Sequence, residues 1–383
     1  VRKKNPPLPL PINNLKRRPA ARRKRIHGAV ERVLESGWYV LGPELEAFEE
    51  ELAAFVGTKH AIGVANGTDA LELSLRLLEC GQGDEIITVA NAGGYSVTAI
   101  LKTGATPVCV DVDAETLNMS PTELEVAITD RTKAIIVTHL YGRMAELEKI
   151  SAIADDAGLP LIEDCAQAHG ATKGRRRAGS WGLIGCFSFY PTKNLGAFGD
   201  AGALATDDAQ LAETAKQLRQ YGWKRKYETG KVLGMNSRMD EIQAAILREL
   251  LSFVDEDNLR RRAIIDTYRR ELSAKSELIL PPPGAEPDQT DFAAHLCILR
   301  SRERDAIRLH LAAHQIASDI HYPVPDHKQA AFNERVRVAG PLRETERAVQ
   351  EILTVPCFPE MTAHEIDMVV SALVGYDPGA STN

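Results

Sequence analysis

Between residues 61 and 164 short apolar runs alternate with segments of helical period: Ala61–Ala65 then Thr68–Glu79, Glu85–Val89 then Ser96–Lys102, Pro107–Asp111 then a helix opened by Ser120 and Glu123. The alternation continues through Ala134–Thr138, a helix near Leu147–Ala157, and Pro160–Asp164. Strands buried on both faces read as near-continuous Val/Ile/Leu runs, and parallel neighbours need a crossover helix. The pattern therefore confines this chain to an α/β fold with a mostly parallel central sheet flanked by helices. Ahead of it, Leu45, Phe48, Leu52 and Phe55 recur at three- and four-residue spacing among glutamates, an amphipathic helix.

Beyond Phe187 the rhythm breaks. Gly196, Gly199 and Gly202 punctuate a loop-rich stretch that runs into a strand over Ala203–Thr206. Helices are predicted over Met239–Phe253 and Leu259–Leu272, and Pro281, Pro282, Pro283 and Gly284 mark a boundary. Apolar Leu296–Leu299, a helix over Glu303–His314, a strand near Ile316–His321 and a last helix after Thr362 describe a smaller α+β unit. The division expected is a basic lead-in over 1–30, a large α/β domain over 31–255, and a linker helix with a small C-terminal domain over 256–383.

A hydrophobic content of 44% over 383 residues sustains cores for two or three such units. The net charge of −7 offers no general attraction to nucleic acid or an anionic membrane, so an anionic ligand needs a local basic pocket. The lead-in departs from that average: Arg2, Lys3, Lys4, Lys16, Arg17, Arg18, Arg22, Arg23, Lys24 and Arg25 precede the first acidic residue, interleaved with prolines that block an early continuous helix. With no groove-reading motif elsewhere, a solvated or partner-facing arm is expected rather than a nucleic-acid tail. No apolar run reaches membrane-span length and the basic start lacks the apolar stretch of a secretory signal, so a cytoplasmic protein is expected. Six dispersed cysteines without C-x-x-C spacing read as buried small residues, not as metal ligands or a disulfide framework. No metal site is expected.

Ligands gather at the carboxyl ends of the strands in such sheets. Polar residues follow four of the apolar runs: Asn66-Gly67-Thr68, Asn91 to Tyr95, His139 to Gly142, and Asp164 to His169. The first passes from strand to helix through a glycine and a hydroxyl residue, leaving backbone N–H groups free at a positive helix end, which suits a phosphate. An ordinary helix cap by Asn66 or Thr68 looks the same in sequence.

The need for a phosphate site comes from Cys186-Phe187-Ser188-Phe189-Tyr190-Pro191-Thr192-Lys193-Asn194-Leu195-Gly196, with Gly199-Asp200-Ala201-Gly202 behind it. This stretch resembles the lysine motif of fold type I pyridoxal-phosphate enzymes, and in detail that of the DegT-type nucleotide-sugar aminotransferases. Ser36-Gly37-Trp38-Tyr39-Val40-Leu41-Gly42-Pro43, Glu163-Asp164-Cys165-Ala166-Gln167-Ala168-His169-Gly170 and Gly234-Met235-Asn236-Ser237-Arg238-Met239-Asp240-Glu241 extend the resemblance, in order, over nearly the whole chain.

The resemblance implies a large cofactor-binding domain and a homodimer whose active sites are shared across the interface. It also implies transamination of a nucleoside-diphosphate keto-deoxysugar with glutamate as donor, pyridoxal 5'-phosphate passing through its pyridoxamine 5'-phosphate form. Lys193 would hold the cofactor as a Schiff base; a partly desolvated lysine beside other cations gives up its proton more readily than one in water. Asp164 would face the pyridine nitrogen, where opposite charges about 3 Å apart at an effective dielectric near 20 attract by roughly 5 kcal/mol before desolvation. A turn cap is the plainer role for that carboxylate. Gln167 falls on the ring-oxygen side, Gly67, Thr68 and Ser188 at the phosphate, and Asn236 at the phosphate of the other subunit's site, unless it only turns the loop before the helix near Asp240.

Many relatives carry an aromatic residue that stacks on the ring where this chain has Gly93; Tyr95 is the nearest substitute, with a core tyrosine as the alternative. His169 is either close to the cofactor or a satisfied buried histidine. Keeping Lys193 favours transamination over the dehydration of relatives with histidine there. Tyr221-Gly222-Trp223-Lys224-Arg225-Lys226-Tyr227, Arg238 and His321-Tyr322-Pro323 look like the subgroup that acts at the 3-keto position. Tyr190 and His321 are then expected at the sugar, and Lys224, Arg225, Lys226 and Arg238 suit a diphosphate, though a solvated charge run reads alike. Two other readings stay open: an aminotransferase for a non-nucleotide keto-cyclitol, and a non-catalytic cofactor- or sugar-binding regulator. Intact Lys193, Asp164 and Gln167 argue against the second.

Overall fold

The expected alternation appears as strand-helix units in the computed structural model, which describes residues 10–275, 277–280, 282–285 and 289–377. Two helices precede the sheet: α1 (Ala20–Ser36), introduced by Pro19 and ended by left-handed Gly37, and α2 (Pro43–Val56), which buries Leu45, Phe48 and Leu52. Then come β1 (His60–Val64), α3 (Gly67–Leu77), β2 (Glu85–Val89), α4 (Tyr95–Thr103) and β3 (Thr106–Val110). The series goes on through α5 (Pro121–Ala127), capped by the Ser120 side chain, β4 (Thr132–Thr138), α6 (Leu147–Asp156) and β5 (Leu161–Asp164).

A small hairpin, β6 (Thr172–Lys173) with β7 (Arg176–Arg177), leads to β8 (Ile184–Ser188) and β9 (Gly202–Thr206). After α7 (Ala209–Leu218) a second hairpin, β10 (Trp223–Arg225) with β11 (Glu228–Thr229), precedes α8 (Glu241–Leu251) and α9 (Val254–Glu271). The remainder comprises β12 (Cys297–Arg300), α10 (Arg304–Ala313), β13 (Arg337–Val338), α11 (Arg343–Glu351), β14 (Ile352–Val355) and α12 (Ala363–Val374).

The large sheet has the order β1-β9-β8-β5-β4-β2-β3-β13. Strand β9 runs antiparallel to both of its neighbours, and from β8 outward every pairing is parallel. The carboxyl ends of β1, β2, β4, β5 and β8 therefore open on one edge. A separate buried cluster that includes Ile264, Tyr268, Leu299, Leu311, Phe358 and Val369 packs around the antiparallel pair β12 and β14. The C-terminal segment is not confined to that cluster, because β13 returns to the large sheet beside β3.

Three expectations need correction or restriction. Residues 316–321 do not form a strand; Ile316 bridges Leu10 and Asp319 bridges Thr354 as isolated contacts, so the apolar pattern there serves burial and not a ladder. The basic lead-in is not a solvated arm where it is described. Arg17 pairs with Glu365 at 2.6 Å, Arg22 with Asp257 at 2.7 Å and Arg25 with Glu249 at 2.8 Å, while α1 buries Ile26, Ala29 and Val33. Three of its arginines are thus paired with acidic partners far along the chain. Arg2, Lys3, Lys4 and the boundary residue Pro281 lie outside the described residues. The six cysteines are free and buried, and among the described residues no helix is long and apolar enough to cross a membrane.

The start of α2 has no side-chain cap of its own. Glu241, 1% exposed at the head of α8, supplies one in trans, accepting from the backbone N–H groups of Gly42 at 2.9 Å, Glu44 at 2.8 Å and Leu45 at 3.0 Å. One carboxylate thus satisfies three donors that the helix cannot satisfy itself and ties α2 to α8. Glu241→Ala is expected to destabilise the protein by about 2–4 kcal/mol, read as a lower denaturant midpoint, with Glu241→Gln losing less.

Candidate active site

At the end of β1 the chain turns into α3 with Asn66 as N-cap, its Oδ1 accepting from Asp69 N at 2.8 Å. The cap reading is realised in Asn66, and with Asn66 serving Asp69 the N–H groups of Gly67 and Thr68 stand at the helix start. A Cβ on Gly67 would lie 2.6 Å from Ser188 Cβ, so only glycine lets the end of β1 approach the end of β8. The resulting concavity, bounded by Gly67, Thr68 and Ser188, offers backbone and hydroxyl donors of the kind that bind an anion.

Glu163 and Asp164 end β5 but point to opposite faces. Glu163 accepts from Gly179 N at 2.9 Å, Trp181 N at 2.7 Å and Gly182 N at 2.7 Å, and faces His139 Nε2 at 2.9 Å. Burial alone would raise its pKa; the bonds from His139, Gly179 and Gly182 outweigh that and hold it below the usual carboxylate range. His139, Glu163 and Cys165 lie within metal-binding reach of one another, but the carboxylate's acceptor capacity is already taken. Asp164 accepts from Ala166 N at 3.1 Å, with the Thr138 side chain also beside it. Burial raises its pKa, with Ala166 N–H and then Lys193 working against the rise. It caps a turn, as one reading foresaw, and still presents a carboxylate to the cavity.

Lys193 follows β8 in the glycine-rich loop, where Gly196 packs against the Pro191 carbonyl. Burial lowers its amine to about 8, partly opposed by Asp164. Two histidines near it are neutral: His169, wedged between Phe187 and Phe189 and lowered by burial to about 3, and His295, pushed well below its ordinary value by burial and by Lys193. Asn194 Oδ1 meets His295 Nδ1 at 2.9 Å, and its amide donates to Asn258 and to the Ala293 carbonyl.

Asn66, Gly67, Asp164, Ser188, Lys193 and Tyr95 line one cavity of about 720 Å³. That volume accommodates a phosphorylated heteroaromatic ring together with a further small substrate. Thr68, Tyr190 and His321 line it as well; His321 Nδ1 contacts Thr354 Oγ1 at 2.8 Å, and burial lowers its pKa. Gln167 stands behind the wall, its Oε1 accepting from Tyr141 N at 2.6 Å and its Nε2 donating to Tyr322 Oη at 3.1 Å.

The structure does not bring the remaining candidates to this cavity. Lys224, Arg225 and Lys226 are exposed on the β10–β11 hairpin, where Arg225 faces Glu228 and Lys226 lies over Tyr227. Arg238 stands over the Tyr221 ring, and Asn236, also exposed, bridges Gln220 through its backbone. Sequence reasoning missed several residues that line the cavity, among them Ile12 and Asn13 of the lead-in, Arg261, His295 and Asp319, and it named Tyr322 only as part of the segment 321–323. Tyr322 was within reach of the sequence, since it directly follows His321; the lead-in residues carry no local signal.

Comparison with known proteins places this geometry. The DegT/DnrJ/EryC1/StrS aminotransferase family model matches residues 21–374. The dTDP-3-amino-3,6-dideoxy-alpha-D-galactopyranose transaminase of Aneurinibacillus thermoaerophilus is 45% identical over 353 residues, covering 92% of this chain and 95% of that protein. The UDP-N-acetyl-3-dehydro-alpha-D-glucosamine 3-aminotransferase of Acidithiobacillus ferrooxidans is 40% identical, covering 95% of this chain and 97% of that protein. The crystal structure of S. venezuelae DesV in complex with a ketimine intermediate superposes with a TM-score of 0.90 at 42% identity, covering 96% of this chain and 98% of that one.

The lowered Lys193 amine makes a stability prediction for the ligand-free protein. Below pH 8 the lysine is protonated in both folded and unfolded chains, and the full desolvation penalty is present. Between about 8 and its ordinary 10.5 the unfolded chain binds the proton that the folded one has lost, so stability rises with pH there. Lys193→Met is expected to stabilise the ligand-free protein by about 1–3 kcal/mol at pH 7, a gain that shrinks by pH 10, measured by denaturant unfolding at both pH values.

Proposed function

Because the chain belongs to the DegT/DnrJ/EryC1/StrS aminotransferase family, we propose that it transfers an amino group from glutamate to the 3-keto carbon of a nucleotide-linked deoxysugar, with pyridoxal 5'-phosphate as cofactor. The observation that carries this reading is the placing of Lys193 and Asp164 on one cavity with the Gly67–Ser188 cradle at its end. The donor set fits the cofactor: backbone and hydroxyl donors for a phosphate, a carboxylate with spare acceptor capacity for a ring nitrogen, and a half-buried amine for an aldehyde carbon. When bound, the cofactor supplies an electron sink for the carbon that loses or gains a proton.

The chain's own residues do the rest. Asp164 keeps its charge against the ring nitrogen, where the partner cation offsets the burial that otherwise raises its pKa. Lys193 Nζ, lowered to about 8, is close enough to neutral that it would hold the cofactor's aldehyde carbon and, as a free amine, would accept and return a proton beside it. Gly67, Thr68 and Ser188 would hold the phosphate, and of Gln167 only the Nε2 hydrogen not given to Tyr322 is left for the ring oxygen. Tyr190 and His321 border the open part of the cavity, where the sugar would enter.

Lys224, Arg225, Lys226, Arg238 and Asn236 lie outside their own chain's cavity. This supports a homodimer in which they face the partner's site, Asn236 toward the phosphate and the basic residues toward the substrate diphosphate. The 3-keto assignment is supported by relatives whose names specify a 3-amino or 3-dehydro sugar. Their names differ in the nucleotide.

Purified protein given pyridoxal phosphate is expected to show the visible band of lysine-bound cofactor, and glutamate should convert it to the shorter-wavelength pyridoxamine form. Lys193→Ala should show neither. A wild-type protein with no lysine-bound band would overturn the proposal, and a band that glutamate leaves unchanged would overturn the choice of donor.

A further inference from the structure

Position 93 carries no side chain, and the ring of Tyr322 stands in the space. Gly93 has φ +81°, and a Cβ built on it would lie 3.0 Å from three carbons of the Tyr322 ring. Contacts that short are not accepted in a packed interior without movement, so a larger residue at 93 would push the ring away. The phenol is held from other sides as well. Gln167 Nε2 donates to its hydroxyl at 3.1 Å, Tyr95 meets it edge-on with centroids 6.1 Å apart, and the Tyr141 hydroxyl donates to the neighbouring His321 carbonyl at 2.7 Å. Gln167 is committed at its other end to Tyr141 N, so its amide cannot turn over without losing one bond or the other.

Tyr322 borders the same cavity as Asp164 and Lys193. Tyr95 borders it too, but it is 48% exposed at the first turn of α4. Burial raises the Tyr322 phenol above its ordinary range, which keeps the hydroxyl protonated and able to accept from Gln167 while donating elsewhere.

We infer that Tyr322, delivered by the C-terminal segment, is the aromatic residue that covers the face of the cofactor ring, that its hydroxyl positions Gln167, and that Gly93 is the seat that admits it. This rests on the pyridoxal-phosphate reading above. The cover for the ring then arrives from a different part of the chain than the strand end that binds the rest of the cofactor. Residues 93 and 322 are coupled: any side chain at the first forces the ring at the second to shift.

The test is the dissociation constant of pyridoxal phosphate and the pH titration of its bound absorbance band, measured for the intact protein and for Tyr322→Phe, Tyr322→Ala, Tyr95→Ala, Gly93→Ala and the double variant Gly93→Ala/Tyr322→Ala. Loss of an aromatic contact should weaken binding about tenfold in Tyr322→Ala and in Gly93→Ala, against threefold or less, roughly, in Tyr95→Ala. In the double variant Gly93→Ala should add only the cost of its own left-handed backbone, because the ring it crowds is already gone. Tyr322→Phe keeps the ring and is expected to hold affinity within about twofold while moving the band's titration, since Gln167 loses its partner. A larger loss in Tyr95→Ala than in Tyr322→Ala, or single losses that simply multiply in the double variant, overturns the inference. An unchanged titration in Tyr322→Phe removes the role in positioning Gln167. Absence of any lysine-bound band in the intact protein overturns the underlying function and this inference together, whereas the variant outcomes above strike the inference alone.

Discussion

One buried carboxylate, Glu163, fixes where the ends of β4 and β5 meet the turn at 179–182. It takes three backbone N–H groups from that turn and faces His139 at the end of β4. A carboxylate buried without such partners would cost several kcal/mol, so the turn has little choice of position. The next residue inherits the opposite situation. Asp164 projects from the other face of the same strand, equally buried, with a single backbone donor in view. Saturating one acidic side chain locks the frame, and leaving its neighbour short of partners creates an electrostatic demand in the cavity that a bound cation can meet.

The second constraint is steric. Three strands converge beside the cavity, and glycine permits the convergence: Gly67 against Ser188, Gly202 against the Asn66 backbone, and Gly185 against the Gly179 backbone. Each approach brings main-chain atoms together where a side chain would stand. Because β9 runs antiparallel between β1 and β8, the start of β9 lies beside the ends of its neighbours, and the donors of the helix start and the hydroxyl of Ser188 reach a common point. Neutral histidines and the phenylalanines around His169 keep the region behind Lys193 apolar, which is what lowers the amine.

Much of this was legible in the sequence because the responsible forces are local. The strands over 85–89 and 161–164, the Ser120 cap and the last helix after Thr362 follow from apolar period and capping chemistry. The Lys193 and Asp164 motifs were readable through resemblance, and the structure puts both residues on one cavity. What stayed hidden depends on distant pairing. Helix α1 is arginine-rich and follows a proline-rich segment, and its stability comes from packing on α8 and from acids more than 200 residues away. Strand β8 is short and interrupted by Gly185, so its pattern is weak until β5 and β9 flank it. The Tyr322–Gly93 contact joins positions that share no periodicity. For the basic hairpin residues, charge alone did not say which cavity they address.

The docking of the lead-in also bears on how the molecule is made. Arg17 and Glu365 are 348 residues apart in the chain, and Leu10 bridges Ile316. On a ribosome the early segment emerges long before either partner exists, and it must wait, basic and unpaired, while the large sheet assembles behind it. Arg22 and Arg25 find their partners once α8 and α9 have emerged and Leu10 once Ile316 has, but the Arg17–Glu365 pair must wait for α12. The segment carrying Ile12 and Asn13 is thus held by residues made after the strands β1 to β9, so a nascent chain can hold most of its sheet before it holds a finished site.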